Sequence, residues 1–518
     1  MRTCLLRMFV GAATVAVSQL SFAGTDIYFN PLTQSSSVAS PNHINELNGP
    51  WRAPAGISQE NLTSMAEIEA DANQSVVRAP GASTSASMWD MVAFDPTGEY
   101  IFIPHESPFG AGVSRYSVFE DSNVVLFSGD GSGVRGEPGT WDNDYGAFDP
   151  ARFTPMGTVI TGEEWSGEGR VIEILNPMAE PKDIEVRELD SFANVSHEGI
   201  MFSKAYANVV YYVDEYNSGS IYKLVLKDQN DLSKGGQTFV LSVNDFNGEA
   251  DAMWNDDVNL NQPRTGRATW VAITDKNGKP STKVSPFKNG ISADPRSNPD
   301  TFGGRIAADE VNATPFGRPE DVEVGLLANG REVLYVAVTS EKSVYTIEMR
   351  GKNRAKVRIL ASEDHTPKNK DFPATTGVLN SPDNLAQDAL GNIYIIEDAP
   401  NSSDVGGDIW FVRDVNSDGV AESLDHFLSI QVDGAEATGM IFNPELPTEF
   451  VVAVQHPDST NLDNVENGFG DALWRFDVSG VVPPVCQKYK KRYWWSRVRT
   501  CSHNYDSNFV RRLAYSAK

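Results

Sequence analysis

The chain is 518 residues long, with 43 Lys and Arg against 70 Asp and Glu, a formal net charge of −27 at pH 7. That balance excludes a nucleic-acid-binding role, because neutralising phosphates needs a basic surface; it suits an acidic, solvated exterior and the binding of hard cations. Hydrophobic residues make up 40% of the chain, enough for a sizeable core, and 42 Gly with 29 Pro fit many short strands joined by turns.

The N-terminus reads as a secretory signal peptide over residues 1–23, with Arg2 and Arg7, an apolar run from Met8 to Leu20 and a Ser21-Phe22-Ala23 end. The run is too short to span a bilayer, and no later stretch is long enough either. A soluble, exported protein is expected, periplasmic or extracellular, without a transmembrane segment and monomeric. Arg2 and Arg7 are not adjacent, so the leader is not of the twin-arginine type. Residues 24–84 read as an N-terminal extension.

One pattern then recurs through residues 85–480: a carboxylate, a short apolar strand, a turn, a second apolar strand ending in a polar group, and a third strand. Copies begin at Trp89, Ser196, Arg318, Ser381 and Glu436, with a weaker one at Thr154. Turns such as "DPTG", "LANG" and "ALGN" split the strands. Repeats of about 40–50 residues built from short strands are the mark of a β-propeller. The expected fold is therefore all-β, a propeller with six blades (seven is the alternative count) and long inter-blade insertions. The longest insertion is 255–316, which shows few strand signals. A β-sandwich of similar hairpins is the competing fold, but it would not repeat the carboxylate position.

Successive strands of a blade run antiparallel, so the start of one and the end of the next share a side. At the starts stand Asp90, Glu198, Glu320 with Asp321, Asp383 and Glu436. At the ends stand His105 with Glu106, Glu163 with Glu164, Asp214 with Glu215, Glu341, Glu397 with Asp398, and His456. Radial blades would gather these groups at one mouth of the channel. Crowded carboxylates either rise in pKa or bind cations, and oxygen ligands favour Ca²⁺ or another hard cation. Arg318 would stand beside them as a fixed positive group suited to bidentate anion binding. Any one of these acids could equally cap a turn or blunt a strand edge.

Residues 414–425, "DVNSDGVAESLD", add a local calcium-loop pattern. Asp414, Asn416 and Asp418 occupy positions 1, 3 and 5, Gly419 position 6 and Asp425 position 12. A plain Asp/Asn/Gly turn without an ion is the other reading.

The tail, 481–518, is basic and aromatic from Cys486 onward. It could touch an anionic cell surface, fold against the acidic body or be a poorly ordered end. Cys4 leaves with the leader, so Cys486 and Cys501 are the mature cysteines, and export would allow them one disulfide.

The blocks "FIPHES", "GTVITGEEW", "SHEG", "RPEDVEV…LYVAVTSE", "SPDNLAQDALGNIYIIED" and "EATGMIFNP…VVAVQHP" resemble, in order, those of the PhoX-type alkaline phosphatases over roughly residues 85–480. The resemblance implies a six-bladed propeller with a metal cluster at one end of its channel, calcium and iron as cofactors, and small phosphomonoesters as substrates. It implies metal-ligand roles for Glu106, Glu198 and Glu320 and phosphate binding by Arg318, with Arg318 and Glu320 at the catalytic centre. Glu164, Asp383 and Glu436 fall in the blocks that complete the cluster. Two features depart from the family. Gly162 stands where the family has an iron-binding cysteine, which favours Ca²⁺ over iron, and the leader is not twin-arginine. A calcium-dependent lactonase or esterase and a non-catalytic, calcium-stabilised surface-binding propeller are the alternative functions.

Overall fold

The computed structural model describes residues 27–36, 49–72, 88–134, 137–164, 168–287, 302–398, 407–432, 434–457, 470–482, 485–490 and 497–502. The expected signal peptide and the end of the tail lie outside the described residues.

Two strands, β1 (Trp51–Arg52) and β2 (Ser58–Ser64), and helix α1 (Met65–Ala72) precede the first blade. Blade one is β3 (Ala93–Phe94), β4 (Tyr100–Pro104), β5 (Gly112–Ser117) and β6 (Ser122–Ser128). Blade two is β7 (Phe148–Phe153), β8 (Val159–Glu163), β9 (Val171–Ile174) and β10 (Val186–Glu188). Blade three runs through β11 (Ile200–Phe202), β12 (Val209–Val213), β13 (Ile221–Leu226) and β14 (Gly236–Val243), with β15 (Gly266–Ala272) added at its outer edge. Helix α2 (Gly303–Asp309) leads to blade four, made of β16 (Pro319–Leu326), β17 (Glu332–Val338), β18 (Ser343–Gly351) and β19 (Arg354–Ser362). Blade five is β20 (Pro382–Gln387), β21 (Ile393–Glu397), β22 (Asp408–Arg413) and β23 (Ser423–Ile430). Blade six is β24 (Glu436–Phe442), β25 (Glu449–Gln455) and β26 (Ala472–Asp477).

Strands within each blade are antiparallel and ordered as in the chain. The first strands touch in sequence, β7 to β11, β11 to β16, β16 to β20 and β20 to β24, with β3 and β4 against β7. Thr438 of β24 closes the circle by donating to the Trp89 carbonyl just before β3, at 3.3 Å. Strands such as "VVYYV" in β12 and "EVLYVAV" in β17 are buried along their whole length, because each blade is covered by a neighbour on either face. Each fully buried Val or Leu contributes roughly 1.5–3 kcal/mol.

The region read as an N-terminal extension supplies strands to the last two blades. β2 pairs with β26 from Ser58 opposite Asp477 to Ser64 opposite Ala472, and Trp51 of β1 pairs with Ile430 of β23. β2 thus ties the start of the chain to the last blade of the ring. The long insertion also carries structure. Its strand β15 bonds to β19, joining blades three and four along their outer edges. In the tail, β27 (Val485–Lys490) and β28 (Arg497–Ser502) form a hairpin whose register places Cys486 opposite Cys501.

Candidate metal and phosphate site

Four first strands carry the same irregularity. Pairing skips two residues in β7 between Phe148 and Ala151, in β16 between Pro319 and Val322, in β20 between Pro382 and Leu385, and in β24 between Thr438 and Ile441. The skipped pairs are Asp149-Pro150, Glu320-Asp321, Asp383-Asn384 and Gly439-Met440. Bulges of this kind re-aim side chains out of the pleat. Asp149 and Asp383 line the central cavity, and Glu320 is buried beside it with its carboxylate against Asp383 and Glu198.

The second residue of two bulges reaches the next blade instead. Asp321 Oδ2 accepts from the Leu385 amide at 3.0 Å, and Asn384 Oδ1 from the Gly439 amide at 2.6 Å. Gly439 has φ +61°, and a Cβ there would lie 2.4 Å from the Asp90 carbonyl oxygen, so only glycine allows this approach of blade six to blade one.

The ends of the second strands divide in the same way. In His105-Glu106, Glu163-Glu164, Asp214-Glu215 and Glu397-Asp398, the first residue is bound within the scaffold. His105 meets Ser114 at 2.8 Å, Glu163 meets Arg170 at 2.7 Å, Asp214 meets Arg305 through Nε at 2.8 Å, and Glu397 accepts the Asp408 amide at 3.2 Å. The second residue faces the site: Glu106, Glu164 and Asp398 line the cavity, and Glu215 reaches Arg318. Glu341 also belongs to the scaffold, accepting from the Gly317 amide and the Tyr345 hydroxyl.

The resulting cavity is about 320 Å³ and is lined by Asp90, Glu106, Asp149, Glu164, Glu198 and Asp383 together with Arg318, Asp398, Glu436 and His456. Oxygens of Glu164, Glu198 and Glu215 lie within 4.8 Å of one another, as do those of Glu198, Glu320 and Asp383. Glu198 belongs to both groups. Asp90 Oδ1, Asp149 Oδ1 and Glu198 Oε2 are buried without a hydrogen-bond partner among the described residues. Burial first, and neighbouring carboxylates second, push Asp90, Asp149 and Glu198 well above the usual carboxylate range. Asp383 is pushed up by the same two causes. Burial raises Glu320 to about 7 even though Arg318 opposes the rise. So many crowded, unpartnered oxygens are what a bound cation compensates, and an all-oxygen donor set suits a hard one.

Arg318 is a cation that the chain itself provides at this cavity. Its Nε lies 2.9 Å from Glu320 and its Nη2 2.7 Å from Glu215, while Nη1 is 3.8 Å from Asp398. The side chain keeps 23% of its surface exposed, so the guanidinium is aimed by acids yet reachable from the cavity.

Not every expected ligand joins the group. Glu436 lines the cavity, but its carboxylate is 3.2 Å from His456 Nε2. The calcium-loop residues lie elsewhere, beyond the end of β22 that is remote from the site. Asp414 accepts from the amides of Asp418 and Gly419, Asn416 donates to Glu422, and Asp418 accepts the Val420 amide. Asp425 is not brought to them. The chain has already re-entered β23, where Asp425 pairs with Phe411 and its carboxylate meets Arg413 at 2.9 Å. A twelve-residue loop is therefore not formed. Gly162, where the resemblance expected a thiolate, leaves no room for one, since a Cβ there would sit 2.6 Å from that of His197. Iron held by a thiolate does not fit this site.

Asp149 was not read from the sequence. The signal is present as "FDPARF", a carboxylate and a proline opening a strand as in "RPEDVEV", one strand ahead of the weaker copy that begins at Thr154.

Among solved structures the fold resembles Pseudomonas fluorescens PhoX in complex with vanadate, a transition-state analogue, with a TM-score of 0.57, 14% identity, and 88% of this chain and 98% of that one covered. Weaker likenesses include a Xanthomonas campestris gluconolactonase, TM-score 0.38 at 11% identity over 88% of this chain and 97% of that one. An aldose sugar dehydrogenase from Streptomyces coelicolor scores 0.39 at 11% identity, over 82% of this chain and 99% of that one. A search of the curated proteins finds no match. The family described as alkaline phosphatase PhoX matches residues 134–458, more than half of the chain. On that match, over a propeller with acids gathered at one end of its channel, the chain belongs to the PhoX alkaline phosphatase family.

Proposed function

We propose that the protein hydrolyses phosphomonoesters at a calcium-loaded carboxylate cluster, with Arg318 binding the phosphoryl group. The observation that carries the reading is the Arg318 guanidinium, fixed by Glu215 and Glu320 at the rim of the acid-lined cavity. A carboxyl ester needs no such fork, so Arg318 favours phosphate over a lactone.

Glu198 would hold cations in two groups, with Glu320 and Asp383 and with Glu164 and Glu215, while Asp90, Glu106 and Asp149 complete the wall. A bound Ca²⁺ supplies Lewis-acid stabilisation of charge building on the phosphoryl oxygens. Arg318 orients the phosphoryl group, and its ion pairs spare it reorganisation as that charge develops. Gln455 donates to Glu106 at 3.1 Å and holds that carboxylate toward the cavity. The leader at 1–23 supports export, and the basic tail supports contact with an anionic cell surface.

The test is hydrolysis of an aryl phosphate at alkaline pH, after EDTA and after Ca²⁺ is restored, beside a panel of lactones. The expected result is phosphatase activity lost with EDTA and regained with Ca²⁺. Turnover of lactones alone would overturn the proposal.

A further inference from the structure

A second site lies where the outer edges of blades three and four are sewn together. β15 pairs with β19 from Gly266 opposite Val357 to Thr269 opposite Arg354. Along this seam runs a groove of about 460 Å³ into which Arg267, Arg331, Arg350, Arg354 and Lys356 project, and none of its lining residues is acidic. On a chain of net charge −27 that concentration of cations is an exception.

The groove is built as well as charged. Beneath it the Glu348 carboxylate is wholly buried and takes Arg331 at 2.8 Å on one oxygen, and Arg350 at 2.9 Å and Arg358 at 2.5 Å on the other. Three guanidiniums thus share one acid, and their positions are set before any ligand arrives. Arg267, Arg354 and Lys356 form no ion pair among the described residues. Register explains the convergence. Lys356 stands opposite both Arg267 and Glu348, so the three strands present these side chains on one face.

We propose that this groove binds a small anion carrying two or more phosphoryl groups, at a site separate from the catalytic one. Guanidinium forks match phosphoryl oxygens in pairs. The volume lies within the range of small-molecule sites and exceeds what one phosphate fills. Five cations set against the single Glu348 carboxylate still call for several negative charges. On a chain of net charge −27 a long polyanion would be repelled beyond the groove, whereas a compact one stays inside. Arg350 lies seven residues along β18 from Ser343, whose neighbours mark the catalytic end, which is roughly 20–25 Å along an extended strand. One molecule of this size does not span both sites.

The experiment is calorimetric titration of the intact protein with a methylene-bridged triphosphate, whose P–C–P links resist phosphatase action. The wild type is compared with Arg350→Ala/Arg354→Ala, with the single exposed-site variant Arg354→Gln, and with Arg318→Ala. The expected result is saturable binding that weakens about tenfold or more in the double variant and measurably in Arg354→Gln. Binding to the groove should be unchanged in Arg318→Ala, and kcat/KM on an aryl phosphate unchanged in Arg354→Gln. Equal affinity in wild type and both groove variants, or loss of all binding in Arg318→Ala, would overturn the proposal.

Discussion

Arg318 and Glu320 are two residues apart, and the Nε of one lies 2.9 Å from the Oε1 of the other. The contact depends on Arg318 adopting φ +62°, a left-handed conformation that long side chains rarely take. The turn and the bulge after it fold arginine and carboxylate back on one another, so charge at the mouth of β16 is the start of the site.

Arg318→Ala should lower kcat/KM on an aryl phosphate by about 10²–10³, the scale of losing a donor aimed at developing charge. Arg318→Lys should recover little, because one ammonium cannot face Glu215, Glu320 and a phosphoryl group together. Steady-state kinetics check both, and calcium content should stay at the wild-type level in each.

Asp149→Asn should reduce calcium content and activity together. Its Oδ1 is buried beside Asp90 and Glu106 without a hydrogen-bond partner among the described residues. A residue that only shaped the bulge would tolerate the isosteric amide with both quantities unchanged.

Gly439→Ala should destabilise the fold by roughly 1–3 kcal/mol, the cost of a side chain at a positive φ with a backbone oxygen in its way. Urea unfolding measures it. Since the strain falls where blade six meets blade one, the ring should open there first, with hydrogen exchange rising in β24 and β3.

Stability should rise with pH from about 7 toward 10 through Lys223. Its ammonium donates to the Lys352 carbonyl at 2.7 Å and lies 4.7 Å from the ring centroids of both Phe239 and Trp270. Burial nonetheless pushes it down from 10.5 to about 7. Between those values the unfolded chain binds the proton and the folded chain does not, so raising pH favours the folded state by up to a few kcal/mol. Lys223→Met should flatten the slope of Tm against pH in that window.

The propeller was legible because strands covered on both faces are wholly apolar and recur with their turns. Acids such as Glu320 and Asp383 were legible because a carboxylate at a strand mouth breaks that apolar rule. Which member of Asp214-Glu215 turns to the site was not, since it depends on the phase in which each strand leaves its pleat, and Glu164 was singled out over Glu163 only by the family resemblance. β2 hid in "SQENLTS", whose polar residues suit an outer strand with one wet face. Asp425 misled because alternating oxygens do not announce where β23 resumes. The seam at β15 lay in a long insertion whose strand pairs far along the chain with β19.

The central claim is that acids from separate blades jointly hold cations, with Glu198 shared by two groups. Metal content of the purified protein, wild type against Glu198→Gln, measures it directly. The account predicts bound calcium in the wild type and loss of at least one equivalent in the variant, with its fold retained by circular dichroism. A wild type without bound calcium, or an equal calcium content in the two proteins, would contradict it.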